Sequence, residues 1–418
     1  MHEFLGFLID VAYLKIGAIT APRWMFKKRS GWDERMGKGA VLPPPPAGKK
    51  RLFIHAVSVG EVNLTRPLVE RLRDQVDIVV GATTDTGIAR ARQMYAGMVH
   101  VVRTPMDASW MVSAFWKRVK PDAVALVELE LWPNMLLKCE KHKVPVCVVN
   151  GRLSARSFKN YRKVRWMLGW MFRQLVFAAV QDETYAERFI EMGVAQDRCH
   201  VAGTMKWDSA FDAPPLGNAV DQLAKGFGID RNRPLIVAGS TGPGEAELIV
   251  QACKDAGYRG QLLIAPRKPE HFDVAAAAMP GCVRRSTSAV PPAGTDFFLL
   301  DTIGELRSAY ALADLVIIGR SFIDLHGSDP MEPAALGKAI VMGPRFEDFT
   351  SAVEALRRHD AIVQVEASEL AGTIGELMSD PTKRKALGQC ALVCVEQQRG
   401  AADRHATLIL NVMGFAHA

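Results

Sequence analysis

The stretch Leu52-Phe-Ile-His-Ala-Val-Ser-Val-Gly-Glu61 decides how the chain is read. Its first half is apolar enough for a buried strand, and it breaks at Ser58 and Gly60 into a helical pattern running from Glu61 to Arg73. In an α/β domain, the carboxyl end of a strand and the helix N-terminus after it are the usual place for chemistry. Glu61 stands at that point. The stretch alone favours the plainer reading, a first-turn acid stabilised by the helix dipole; stretches further along reverse that preference.

Working outward, strand-like runs at 52–57, 77–82, 99–103, 123–128, 145–149 and 176–181 alternate with helical patterns near 61–74, 86–96, 109–118, 132–141 and 156–173. Such alternation predicts a parallel sheet covered on both faces. Residues 211–233 change character, with Pro214, Pro215, Gly217 and a charged run to Arg233, and mark a junction. A second series follows, with strands at 235–239, 261–265, 297–300, 315–318 and 339–342. The expected fold is α/β: two doubly wound Rossmann-like domains, 48–212 and 233–380, with an interdomain cleft, which is the GT-B arrangement. Residues 381–418 are expected to return as helices that brace the first domain.

Composition narrows the partners. A 418-residue chain with 49% hydrophobic and 23% charged residues can bury two cores and leaves little room for extensive disorder. A net charge of +7 suits a nucleotide, a phospholipid surface or nucleic acid. Nucleic acid is set aside as the weakest of these, because no arginine-rich run interleaved with aromatics is read. The seven cysteines are scattered without a Cys-x-x-Cys pair, which points to reduced thiols and no metal centre. Residues 1–30 begin with an apolar segment interrupted by Asp10, Lys15, Pro22 and Arg23, short of the roughly 20 apolar residues a spanning helix needs. Arg23, Lys27, Lys28 and Arg29 follow. The segment fits a monotopic anchor on an anionic leaflet, or equally an amphipathic helix packed on the first domain.

Several turns after strands carry candidate chemistry. Val127-Glu-Leu-Glu-Leu-Trp-Pro-Asn134 places Glu128 and Glu130 two apart, on one face if the strand continues. Glu128 is expected to be a structural ion-pair member and Glu130 to line a cleft. Arg152, in Asn150-Gly-Arg-Leu-Ser154, either holds an anion or pairs with these acids. Ala238-Gly-Ser-Thr-Gly-Pro-Gly-Glu245 is a Gly-rich turn suited to an anion, without the P-loop lysine or the dinucleotide spacing. In Ala265-Pro-Arg-Lys-Pro-Glu, Pro266 and Pro269 stiffen the backbone that aims Arg267 toward a phosphate. Asp301-Thr-Ile-Gly-Glu-Leu306 offers a backbone edge for a nucleobase. In Ser328-Asp-Pro-Met-Glu-Pro, Pro330 sits near a helix start and Glu332 in its first turn, placed to accept from ribose hydroxyls.

Together with Gly203-Thr-Met-Lys-Trp-Asp208 and Glu332-Pro-Ala-Ala335, these stretches resemble, in order and over nearly the whole chain, the Kdo transferase family of lipopolysaccharide biosynthesis. The resemblance implies a glycosyltransferase moving Kdo (3-deoxy-D-manno-octulosonic acid) from CMP-Kdo to a lipid A precursor, lipid IVA; inverting transfer without a cofactor is expected, and metal-independent because these stretches hold no metal-ligand cluster such as Asp-x-Asp. The anionic cytoplasmic face of the inner membrane is the implied location. It also implies Glu61 as base, with Glu130 and Lys206 supporting the transition state. The implied CMP site comprises Pro266 and Arg267, Ile303, Gly304 and Glu305, and Asp329, Pro330, Met331 and Glu332. The chain departs from the family pattern at Gly242, Lys268, Arg320, Ser328 and Asp329, around the expected donor phosphate and sugar. Rival readings are a GT-B enzyme using another CMP-ulosonic acid or a UDP-sugar, and a non-catalytic membrane scaffold of the same fold.

Overall fold

The opening stretch forms strand β1 (Arg51–His55) and the helix Val59–Leu72 in the computed structural model, which describes residues 6, 9–11, 13, 30–212, 216–287 and 294–415. All five residues of β1 are buried, including its first, Arg51. That guanidinium is tolerated there because Asp77 lies 2.7 Å from Nε and the Val119 carbonyl accepts from Nη1 at 2.8 Å. β1 sends Leu52 and Ile54 into one core with Val62, Leu68 and Ile409, and Phe53 into the other with Phe115, Leu136 and Phe172. A strand buried on both faces must be apolar at successive positions, which is why the stretch reads as a continuous hydrophobic run.

The chain divides into two units, Met1–Ser209 with Gly400–Ala418, and Ala210–Arg399. The first is built on β1, β2 (Asp77–Ala82), β3 (His100–Arg103), β4 (Ala123–Val127), β5 (Val146–Gly151), β6 (Phe177–Val180) and β7 (Cys199–Val201). Their order across the sheet is β3-β2-β1-β4-β5-β6-β7, with every pair parallel. The order reverses between β1 and β4, where Leu52 pairs with Ala123 and His55 with Leu126. The second unit holds β8 (Leu235–Thr241), β9 (Gln261–Pro266), β10 (Val283–Arg284), β11 (Phe297–Leu299), β12 (Leu315–Ile318), β13 (Ala339–Met342) and β14 (Val363–Gln364). Its order is β10-β11-β9-β8-β12-β13-β14, again parallel, reversing between β8 and β12. In open α/β sheets such reversals leave a crevice outside the strands' carboxyl ends, where ligands bind.

Three expectations change. The pattern over 156–173 is two helices, Ala155–Lys163 and Arg165–Arg173, because Val164 (φ −116°, ψ 23°) leaves the helical region. β4 ends at Val127, since Glu128 adopts a left-handed backbone (φ 59°). Glu128 and Glu130 therefore do not share a strand face. The C-terminal helices also divide rather than bracing one domain together. Pro381–Gln398 packs on the helix Met331–Ala335 and on β13, so closely that a Cβ at Gly388 would lie 2.1 Å from the Gly337 carbonyl oxygen. Ala401–Met413 packs on Val59–Leu72. All seven cysteines are free thiols, and no described helix is long and apolar enough to cross a membrane.

Candidate active site

At the β1/β4 reversal, Ser58 caps the helix Val59–Leu72 by accepting from the Glu61 N–H at 3.4 Å. Glu61 reaches back: Oε2 accepts from the Val57 N–H at 2.8 Å and Oε1 from the Ser58 hydroxyl at 2.8 Å. This is a Ser-x-x-Glu capping arrangement, so the structural reading of Glu61 holds for its geometry. It does not exhaust the residue. Burial pushes the carboxyl up to about 7, against the two hydrogen bonds that pull it down, and the charges of Glu130 and Glu128 push it further up. A carboxylate with that affinity for a proton is suited to general-base work near neutral pH.

Glu130 follows the left-handed turn at Glu128, whose N–H donates to the Val149 carbonyl at 2.9 Å. Burial raises the Glu130 carboxyl above its ordinary range, while the Trp132 indole N–H, donating to Oε2 at 2.9 Å, opposes the rise. Trp132 stands edge-on to His55, ring centroids 4.8 Å apart. His55 Nδ1 lies 3.0 Å from the Thr104 hydroxyl, and burial drives the ring down to about 3, so it is neutral. Arg152, expected as an anion holder or a partner of the two acids, lies with Nε 3.4 Å from the Tyr185 hydroxyl.

Lys206 sits in the helix Met205–Phe211. Asn150, fully buried with a left-handed backbone (φ 53°), accepts the Met205 N–H on Oδ1 at 2.9 Å and so fixes that helix start to the end of β5. The Asn150 N–H donates to His405 Nε2 at 2.8 Å, while His405 Nδ1 lies 2.7 Å from the Ala401 carbonyl. These contacts set the tautomer, with the proton on Nδ1, and burial takes the ring down to about 4. Asp208, also fully buried, accepts from the N–H groups of Gly400 and Ala402 at 2.9 and 3.2 Å. The motif that carries Lys206 thus also caps the last helix. None of these supporting roles for Asn150, Asp208 and His405 was visible in sequence, since the Asn150–His405 and Asp208–Gly400 partners lie 255 and 192 residues apart.

The described part of the N-terminal segment docks on this unit. Asp10 accepts from the Ser109 N–H at 2.9 Å and from Asn134 Nδ2 at 3.1 Å. The Tyr13 hydroxyl donates to Asp107 at 3.1 Å. Asp107 also accepts from the Asn134 and Met135 N–H groups, 2.9 Å each, at the start of the helix Pro133–His142. Burial pushes its carboxyl up to about 7. The basic residues Arg23, Lys27, Lys28 and Arg29 lie outside the described residues.

In the second unit, Glu245 organises the β8/β12 reversal. Fully buried, it accepts from the N–H groups of Gly242 at 2.7 Å, Arg320 at 2.5 Å and Phe322 at 3.0 Å. One carboxylate thereby joins the turns that leave β8 and β12. Its spacing from the Gly-rich turn was visible in sequence; its partners in the second turn were not. Gly242 is hemmed in: a Cβ there would lie 2.8 Å from the side chains of Ile323 and Leu325. Arg267 is exposed, its N–H donating to the Thr241 carbonyl at 3.0 Å immediately after Pro266 ends β9. Lys268 pairs with Glu270 at 3.2 Å. Asp329 Oδ1 accepts from the Met331 N–H at 2.8 Å, just past Pro330 at the start of the helix Met331–Ala335. Glu332 in that helix is pushed up to about 7 by burial and by the Asp329 charge, with Arg307 and Arg267 pulling it down. Arg267, Asp329 and Glu332 therefore form one electrostatic group. The turn from Thr302 to Glu305 contributes Ile303, 80% exposed, and Gly304 with φ 99°. The Glu305 carboxylate is engaged by Arg285 at 2.9 Å and by the Thr302 hydroxyl at 2.5 Å.

Two parallel doubly wound sheets in one chain define the GT-B fold of glycosyltransferases. A solved glycosyltransferase from Rickettsia africae shares it, with a TM-score of 0.61 over 88% of this chain and 100% of that one, at 12% identity. Residues 30–209 match the family model described as 3-deoxy-D-manno-octulosonic-acid transferase (kdotransferase). The 3-deoxy-D-manno-octulosonic acid transferase of Haemophilus influenzae is 29% identical over 94% of this chain and 93% of its own. That of Bordetella pertussis is 28% identical over 91% and 93%. Over more than nine-tenths of its length the chain is thus similar to Kdo transferases, and residues 30–209 carry the family's domain.

Proposed function

We propose that this protein transfers Kdo from CMP-Kdo to the lipid A precursor lipid IVA, with inversion at the anomeric carbon and Glu61 as general base. The observation that carries the reading is the Glu61 carboxyl, held at a sheet reversal by Val57 and Ser58 and raised by burial to about 7. A sugar hydroxyl of the acceptor attacks the anomeric carbon of Kdo, and Glu61 takes the hydroxyl proton as the bond forms. The bond from that carbon to the CMP phosphate breaks, and CMP departs as an anion that needs no proton. Glu130, oriented by Trp132, and Lys206, whose helix is pinned by Asn150, support the transition state. In the second unit Arg267 contacts the CMP phosphate and Glu332 accepts from the ribose hydroxyls. Pro266, Asp329, Pro330 and Met331 shape that site, and the turn Ile303–Glu305 faces the base. The acceptor is lipid-borne, so the site of action is the cytoplasmic face of the inner membrane.

Crowding of Gly242 by Ile323 and Leu325, beside Arg320, alters the surroundings expected for the donor phosphate and sugar. That favours, as a second reading, a related CMP-ulosonic acid as donor. Thermal-shift titration with CMP-Kdo, CMP-sialic acid and a UDP-sugar separates the two. Stabilisation by CMP-Kdo alone is expected; stabilisation by CMP-sialic acid without CMP-Kdo favours the second reading, and stabilisation by the UDP-sugar alone overturns both.

A further inference from the structure

We propose that the helix pair Ala155–Lys163 and Arg165–Arg173 is a docking surface for an anionic lipid leaflet, separate from the N-terminal segment. The pair leaves the carboxyl end of β5 through Ser154, which caps its first helix by accepting from the Ser157 N–H at 3.3 Å. It therefore starts from the same sheet edge as Glu61 and Glu130. From residue 155 to 173 the sequence holds six arginines and lysines, and no acid occurs between Glu140 and Asp182.

The two helices meet at Val164, and the corner they make is outward-facing on both sides of the bend. Trp166 is 83% exposed, Met167 48% and Tyr161 37%. Lys159, Lys163 and Arg165 are exposed beside them. The other side of the pair is anchored in the core through Phe172 and Met171, with Phe158 and Leu168 packed against it. The neighbouring helix Glu183–Met192 supplies the acids nearest in the packing, and of these Glu191 stands 3.6 Å from Arg162. Arg162 is thus partly neutralised, which leaves Lys159, Lys163 and Arg165 as the cations of the corner.

An indole and a thioether held in water are unfavourable unless something covers them. Cations flanking them on an exposed corner match a leaflet with anionic headgroups, into whose boundary Trp and Met can enter while the ammonium and guanidinium groups meet phosphate. A single-stranded nucleic acid would instead require a groove in which bases stack in succession. The surface goes beyond the transferase reading, and it suits that reading because it would hold the sheet edge carrying Glu61 at the place where a lipid acceptor resides.

The test is co-sedimentation of the full-length protein with phosphatidylcholine vesicles and with phosphatidylglycerol-rich vesicles, at low and high salt. Each basic residue near an anionic leaflet is worth about fivefold in partitioning. The variant K159Q/K163Q/R165Q is therefore expected to bind phosphatidylglycerol-rich vesicles about 100-fold more weakly and to lose most of the salt dependence. Trp166→Ser is expected to weaken binding to both vesicle types by about tenfold, through lost apolar burial. All four positions are exposed, so the thermal midpoint should stay at the parental value. Parental partitioning in both variants overturns the proposal. So does loss of oligonucleotide binding in the triple variant while vesicle binding is unchanged. Kdo transfer to a detergent-dispersed acceptor, run in parallel, reports on the transferase reading alone.

Discussion

Glu61→Gln distinguishes a capping acid from a catalytic base, because the two roles predict opposite changes in stability and activity. Glutamine keeps the length of the side chain. Its carbonyl can accept from the Val57 N–H and its amide can donate to the Ser58 hydroxyl, which now carry the cap. What is lost is a charge held where burial disfavours it. Raising a carboxyl from its ordinary 4.5 to about 7 costs about 3 kcal/mol of folding free energy once the group is ionised. Partial contact with water reduces that to about 1–2 kcal/mol. The folded-state value lies above the unfolded one, so the penalty is absent below pH 4.5, grows as pH rises between the two values, and is complete above about 7. At pH 8 the variant should therefore melt about 2–6 °C higher than the parent, and at pH 4 no higher. Turnover, measured as CMP released from CMP-Kdo in the presence of acceptor, should fall by about 10²-fold or more, with donor affinity nearly unchanged. A variant that melts lower at pH 8 and turns over near the parental rate would show that Glu61 only caps its helix.

At saturating donor, turnover of the parent should rise with pH through a midpoint near 7, as Glu61 becomes able to accept a proton, and a pH-rate profile reads this directly; a flat profile from pH 6 to 8 contradicts the assignment. Arg267→Ala should weaken CMP binding by about 10- to 150-fold in calorimetry, the worth of one charge-assisted contact at roughly 1.5–3 kcal/mol; equal affinity removes Arg267 from the site. Glu245→Ala strands three backbone N–H groups and should destabilise the second unit by about 3–5 kcal/mol, lowering its unfolding transition and abolishing CMP binding; an unchanged unfolding curve would show that water replaces the carboxylate.

The strands were legible because most are buried on both faces, so a strand such as Ala123–Val127 appears as an uninterrupted apolar run. Edge strands Cys199–Val201, Val283–Arg284 and Val363–Gln364 were not, being two or three residues long and too short to show a period. Glu61, Glu130, Arg267 and Glu332 could be singled out because each follows a strand in a local pattern. The residues that hold such groups in place were hidden for the opposite reason. Asn150 and His405 are 255 positions apart, and the buried Glu245 takes two of its three backbone partners from beyond residue 319. The left-handed backbone at Glu128 ended an expected strand early, and no side-chain pattern marks such a turn at a glutamate. Hydrogen bonds from Ser109 and Asn134 to Asp10 likewise turned a residue read as an interruption of an apolar segment into a docking contact.

The central claim is the transfer of Kdo to a lipid acceptor, and the mass of the acceptor after incubation with CMP-Kdo tests it most directly. The parent enzyme should add one or more Kdo residues to lipid IVA and release an equal amount of CMP, while Glu61→Gln leaves the lipid mass unchanged over the same period. An unmodified acceptor with the parent enzyme, or a mass gain that persists at the parental rate in Glu61→Gln, would contradict the account.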